Sequence, residues 1–343
     1  MEVDNCMKIN FKNKFNNELK QFPFVIVDVG ARTGPKKEWF PIRNHLKLVG
    51  FEPCKDEYKK LKESAVETEN ITYIDSACYD RKTSLVLHIA KDEGLSSVFM
   101  PNYDFLRHFP ESNTSGYKIK DKITIDAEKL DNMLPEAIRQ ELDFLKIDVE
   151  GCAFEVIKGA EATIKNGLVV GLRVEAEFNE KYKGQNLFSG VDLLLREHGY
   201  QLFDIKTCHW KRSPGTKTGG TRGQLVHGDF IYFINANQFF ERIQGLSPGA
   251  RTAKIIKFII ICCIYGCYDF ALELLHESCK RKFIDNRYHG IFQRELAKTS
   301  SIFMRLPKLK GRGKFRDLLY HIYMICYGTW LARTDFYEPI VEL

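Results

Sequence analysis

Val27-Asp28-Val29-Gly30-Ala31-Arg32-Thr33-Gly34 closes an apolar run that begins at Phe24. A strand buried in a parallel sheet reads as an unbroken apolar run, and the glycines at 30 and 34 mark the turn that hands such a strand to a helix beside a ligand. Glycine lets backbone approach that ligand closely. A second run, Leu48-Val49-Gly50-Phe51, ends in Glu52-Pro53. Its distance from the turn, about 20 residues, is the one at which nucleotide-binding α/β folds place a carboxylate on a ribose diol. A third run, Phe144-Leu145-Lys146-Ile147-Asp148-Val149-Glu150-Gly151, is another strand that ends in acids.

The acid before the first glycine decides which cofactor fits. A dinucleotide turn brings pyrophosphate onto a helix N-terminus, where the carboxylate of Asp28 would repel it. S-adenosylmethionine has no phosphate and carries an ammonium and a sulfonium, so acids near the turn favour it. The expected donor contacts are Asp28, Gly30, Arg32 and Gly34 in the turn and Glu52 on the ribose. Asp75, Ser76 and Ala77, after a third strand at 71–74, are expected to meet the adenine.

The segments VDVGARTG, GFEP, LKIDVEGCAFEVIKGA (145–160) and LRVEAEF (172–178) resemble the FkbM family of S-adenosylmethionine-dependent methyltransferases, over roughly residues 24–235. The resemblance implies a class I, Rossmann-like methyltransferase fold and O-methylation of a sugar or natural-product hydroxyl. Arg32 stands where the family usually has a small polar residue, and Ala153 where a second Glu commonly follows the Glu-Gly pair.

Apolar runs alternate with helical spacing through the first 200 residues, the rhythm of a parallel sheet with helices on both faces. Strands are expected near 24–28, 48–52, 71–74, 144–148, 169–176, 200–205 and 229–234. The last two, joined by a Gly- and Thr-rich stretch, form an antiparallel hairpin at one edge. The fold class is thus α/β, a mostly parallel seven-stranded sheet with a C-terminal helical extension. The region 78–140 is a long excursion of the kind that shapes substrate sites. Residues 1–249 read as the catalytic domain and 250–343 as a helical appendage.

Charge is uneven, with 35 Lys+Arg against 36 Asp+Glu over 1–250 but 16 against 9 over 251–343. Arg305, Lys308, Lys310, Arg312, Lys314 and Arg316 form an acid-free run, suited to an anionic membrane surface or a phosphate-bearing glycan carrier. No base-stacking or groove-reading pattern accompanies it, which argues against nucleic acid. The appendage is also a candidate oligomerisation element. Ten cysteines without a CxxC pair and an Asn- and Lys-rich start without an apolar signal core point to a reducing cytoplasm, with peripheral membrane contact left open.

Ligands of open α/β sheets lie beyond the carboxyl ends of the strands, where Asp28, Glu52, Asp148 and Glu175 converge. Asp148, Glu150, Glu175 and Lys146 are the catalytic candidates, the acids to orient and deprotonate a hydroxyl, the lysine to orient substrate or balance the acids. No spacing demands a metal, although oxygen ligands such as Asp148 suit a divalent cation. The expected activity is O-methylation of a sugar, glycan or glycan precursor. Methylation of another small molecule or a protein, and a silent methyltransferase-fold scaffold, are the alternatives.

Overall fold

In this computed structural model, residues 9–11, 14–64, 70–218 and 223–298 are described, and beyond them only 314, 318, 332–333 and 341–342. The strands that position the site are β1 (Phe24–Val29), β2 (Leu46–Phe51), β3 (Ile71–Ile74), β4 (Ala77–Cys78), β5 (Thr83–Ala90), β6 (Ile119–Glu128), β7 (Phe144–Ile147), β8 (Gly171–Glu177), β9 (Tyr200–Trp210) and β10 (Gln224–Ile234). The main sheet runs β3-β2-β1-β7-β8-β10-β9, and Ala332–Arg333 extend the β9 edge. β1, β2, β3, β7 and β8 are parallel, whereas β10 is antiparallel to β8 and β9. That is the expected seven-stranded sheet with its edge hairpin. Every residue of β1 and β7 is buried, as both faces of the central strands are covered.

Successive side chains of β10 show the two covers. Phe230 stacks on Phe188 of α5 (Phe188–Glu197), while Phe233 packs edge-on against Phe258 of α7 (Pro248–Ile264). Positions 230 and 233 differ in parity, so they face opposite sides of the sheet. The first cover also contains α3 (Ala153–Gly159) and α4 (Glu161–Asn166). The two meet at Ala160. The break falls where a Cβ on Gly159 would stand 1.8 Å from the Tyr79 carbonyl oxygen.

The second cover corrects two expectations. After Gly34 the chain forms no α-helix but a 3₁₀ segment, Lys37–His45, with Pro41 inside, which lacks an N–H for helical bonding. Its Trp39 packs edge-on against Phe144 and Tyr265, and Tyr265 stacks on Phe144. Residues 253–264 of α7 are all buried, Cys262 and Cys263 among them. The boundary drawn at 249/250 therefore cuts through a helix that belongs to the main core. α8 (Tyr268–Lys280) and α9 (Asn286–Ala297) continue that cover, their Phe270 and Phe292 buried in the same cluster.

An ionic knot ties α7 to the sheet. Asp143, fully buried just before β7, accepts from Lys254 Nζ at 2.5 Å, Lys257 Nζ at 2.8 Å and the Val25 amide at 2.8 Å. The basic run Arg305 to Arg316 lies outside the described residues apart from Lys314. Among the described residues no helix is long and apolar enough to cross a membrane.

The long excursion folds as a second sheet, in the order β4-β6-β5. Alternation brings Leu85, Leu87 and Ile89 of β5 and Ile123 and Ile125 of β6 to one face, which lines a cleft above the carboxyl ends of the main strands.

Candidate active site

That cleft encloses about 880 Å³, near the upper end of the roughly 300–1,000 Å³ usual for small-molecule sites. Its floor begins at the glycine turn. Gly30 has φ +83° and Gly34 φ +70°, both in the left-handed region that favours glycine. A Cβ on Gly30 would stand 1.9 Å from the Asp148 carbonyl oxygen. The ends of β1 and β7 can touch only because that atom is missing. The Gly30 and Ala31 amides donate to the Phe51 carbonyl at 3.1 and 3.0 Å, which fastens the turn to the end of β2.

Glu52 follows directly and lines the cleft. Its carboxylate accepts from the Cys54 amide at 2.9 Å, and burial raises its pKa. Ser76, Ala77 and Cys78 form the wall beyond it, whereas Asp75 is exposed and lies off the cleft. Arg32 lines the cleft but is committed to acids, with Glu93 at 2.7 Å and Glu57 at 3.4 Å. Glu93 also takes Lys120. Arg32 thus clasps the cofactor turn to the excursion.

Asp28 and Lys146 require correction. They are cross-strand partners on β1 and β7, each nearly inaccessible, and Lys146 Nζ donates to Asp28 Oδ1 at 2.8 Å. Neither lines the cleft, so Asp28 does not present its charge to the donor and Lys146 does not touch an acceptor. Lys146 also reaches Asp148 at 3.3 Å. Burial works against its ammonium, but Asp148 and Asp28 outweigh that and raise its pKa. The pair is a support beneath Asp148.

Asp148, Glu150 and Glu175 do converge on the cleft, with carboxylate oxygens within 4.8 Å of one another. Burial opposes ionisation of Asp148, yet Lys146 and a hydrogen bond from Glu175 hold its pKa below the ordinary carboxylate range. Glu175 is pushed well up, by burial and then by Glu150 and Asp148. The two shifts run in opposite directions, which makes Asp148 the stronger acid of the pair and Glu175 the weaker. Burial also raises Glu150, against Lys181. Glu150 has φ +46°, unfavourable for a side chain of its size. Its carbonyl takes Ser97 Oγ at 2.6 Å and its carboxylate takes Tyr182 Oη at 2.8 Å, which together hold that backbone in place.

Sequence reasoning missed Lys181. It follows β8, is buried, and its ammonium lies 3.1 Å from Glu150, 3.7 Å from Glu175 and 3.1 Å from Glu177. With Lys146 it sets two cations behind three acids. The oxygens of Asp148, Glu150 and Glu175 are close enough to share a cation, but these ammoniums already offset their charge.

A mostly parallel sheet, a glycine turn after its first strand, a ribose-ready acid after its second and acids after its fourth define an S-adenosylmethionine-dependent methyltransferase of class I. The residues present are compatible with that donor: Gly30, Glu52 and Ser76 to Cys78 all line the cleft, and the bare Gly30 lets the ends of β1 and β7 meet at its floor. Residues 28–202, about half the chain, match the Methyltransferase FkbM domain, and the chain belongs to that family.

No curated protein matches the sequence. Among solved structures, the FkbM methyltransferase of Methylobacillus flagellatus aligns at 15% identity and TM-score 0.31, covering 62% of this chain and 43% of its own. The magnesium protoporphyrin IX methyltransferase of Synechocystis, with bound S-adenosylmethionine, aligns at 8% identity and TM-score 0.33, over 65% of this chain and 78% of its own. A putative methyltransferase from Listeria monocytogenes aligns at 8% identity and TM-score 0.33, over 64% and 98%. These likenesses assign no residue role. The chain thus matches less than half the length of the Methylobacillus protein.

Proposed function

We propose that this methyltransferase O-methylates a hydroxyl of a sugar, glycan or glycan precursor. The observation that carries the reading is the convergence of Asp148, Glu150 and Glu175, whose carboxylate oxygens lie within 4.8 Å of one another at the cleft floor next to the cofactor turn. The donor supplies an electrophilic methyl; its transfer to a hydroxyl oxygen breaks the carbon–sulfur bond and leaves one proton to be taken up. Asp148 is placed to accept the hydroxyl hydrogen bond and align the oxygen, and it takes the proton as the carbon–oxygen bond forms and the oxygen turns acidic. Glu175 donates to Asp148 and so fixes which oxygen faces the acceptor. Glu150 and the neighbouring Ser96 and Ser97 add polar groups of the kind a polyhydroxyl acceptor pairs with. A positioned base contributes about 10²–10⁴ in rate, and alignment within the cleft contributes further.

The basic run Arg305 to Arg316 suits a phosphate-bearing glycan carrier or an anionic membrane surface as the place of delivery. The test is methyl-labelled donor offered to free sugars, sugar nucleotides, aromatic hydroxyls and protein. Label recovered as a sugar methyl ether supports the reading. Label found only on aromatic compounds, nitrogen or protein overturns it.

A further inference from the structure

The methyl donor ends in an amino acid whose carboxylate needs a cation, and the cleft offers several. Arg32 is paired with Glu93 and Glu57, Lys60 with Glu57 and Lys120 with Glu93. Lys59 is exposed on the α2 helix (Lys55–Ser64), on the Glu52 side. Lys146 and Lys181 are buried beneath the acids and do not line the cleft. Lys36 differs from all of these. It is half-buried, lines the cleft, and its ammonium donates to a neutral group, Thr33 Oγ1, at 2.6 Å.

Strand order sets its place along the cleft. Strand order places the adenine wall after β3, the ribose acid after β2 and the glycine turn after β1, so the amino-acid end falls toward β7 and β8. Lys36 lies on that side, within electrostatic reach of Asp28, Asp148, Lys146 and Arg173. We propose that the Lys36 ammonium binds the carboxylate of the donor's methionyl group and so fixes the donor's far end. Burial, with Lys146 and Arg173, depresses the pKa of Lys36 against the pull of Asp28 and Asp148. An incoming carboxylate supplies the counter-charge that this half-buried ammonium lacks, and one desolvated, charge-assisted bond of this kind is among the stronger ones.

The proposal rests on the donor that the family uses and not on the acceptor, so it stands or falls apart from the sugar reading. The test is calorimetric binding of S-adenosylmethionine and of decarboxylated S-adenosylmethionine, which lacks only the carboxylate. The proteins are wild type, Lys36→Met, Lys36→Gln and Lys36→Arg. Hydrogen bonds to charged groups predict that Met and Gln weaken the carboxylated donor by about 10- to 100-fold. The decarboxylated donor should bind wild type, Met and Gln variants alike, and Arg should retain most affinity for the full donor. Equal weakening of both ligands, which marks a merely structural role, overturns the proposal. So does an unchanged affinity for S-adenosylmethionine.

Discussion

Asp143 tests whether the C-terminal helices are part of the methyltransferase core. Asp143→Asn keeps shape and an acceptor for the Val25 amide but removes the charge that two buried ammoniums share, Lys254 at 2.5 Å and Lys257 at 2.8 Å. Breaking a buried ion pair costs about 3–5 kcal/mol. Some of that is recoverable, because burial already holds the Lys254 pKa down to about 8, and shedding its proton at pH 7 costs about 1.4 kcal/mol. A net loss of about 2–4 kcal/mol near neutral pH follows.

The sign of its pH dependence is fixed. The folded pKa of Lys254 lies below the ordinary 10.5, so between about 8 and 10.5 the unfolded chain binds more protons and wild-type stability rises with pH. Without the aspartate the folded pKa drops further and that rise begins at lower pH. The gap between the two proteins is therefore wider at about pH 6 than at about pH 8.5. Urea unfolding read by fluorescence reports it, since Trp39 packs beside Phe144 and Tyr265. A loss under about 1 kcal/mol at the lower pH, far below the usual cost of such a break, refutes the reasoning. An equal gap at both pH values does the same.

Glu52→Ala removes the acid at the ribose position and should weaken donor binding by about 10- to 100-fold; calorimetry that shows unchanged affinity rejects the assignment. Asp148→Asn should leave donor affinity within a few-fold while turnover falls by about 10²–10⁴, and a fully active variant removes Asp148 from the chemistry. Lys181→Met takes a cation from among Glu150, Glu175 and Glu177, so the pKa values of Glu150 and Glu175 should move further up. Carboxyl-carbon NMR titration measures this directly, and values that stay in place exclude the electrostatic role.

Local runs of sequence revealed the frame of the molecule, because β1, β2 and β7 are apolar stretches with one charge apiece, and acids stand just past the ends of β2 and β7. What local runs do not carry is pairing across the sheet. Asp28 and Lys146 are 118 residues apart, yet each is the single charge inside an apolar strand of two adjacent parallel strands. Opposite charges at matching depth were the signal that would have removed both from the cleft. Lys181 had no such signal, since its partners Glu150 and Glu175 meet it only once β7 and β8 lie side by side. The C-terminal helices looked separate because a change of composition after Gly249 resembles a domain boundary. The missing α-helix after Gly34, interrupted at Pro41, is what leaves a sheet face for them to cover.

The two layers over the sheet are synthesised at different times. A nascent chain that has left the ribosome as far as Ile234 owns all seven strands, but on the side of the sheet bearing Asp143, Phe144 and Phe233 the 37–45 segment still awaits Phe258 and Tyr265. Contacts between distant parts of a chain are slow to form. Closure of this interior is consequently an event late in translation, and a fragment trimmed to the family-matching residues 28–202 lacks β10, most of β9 and α7 to α9.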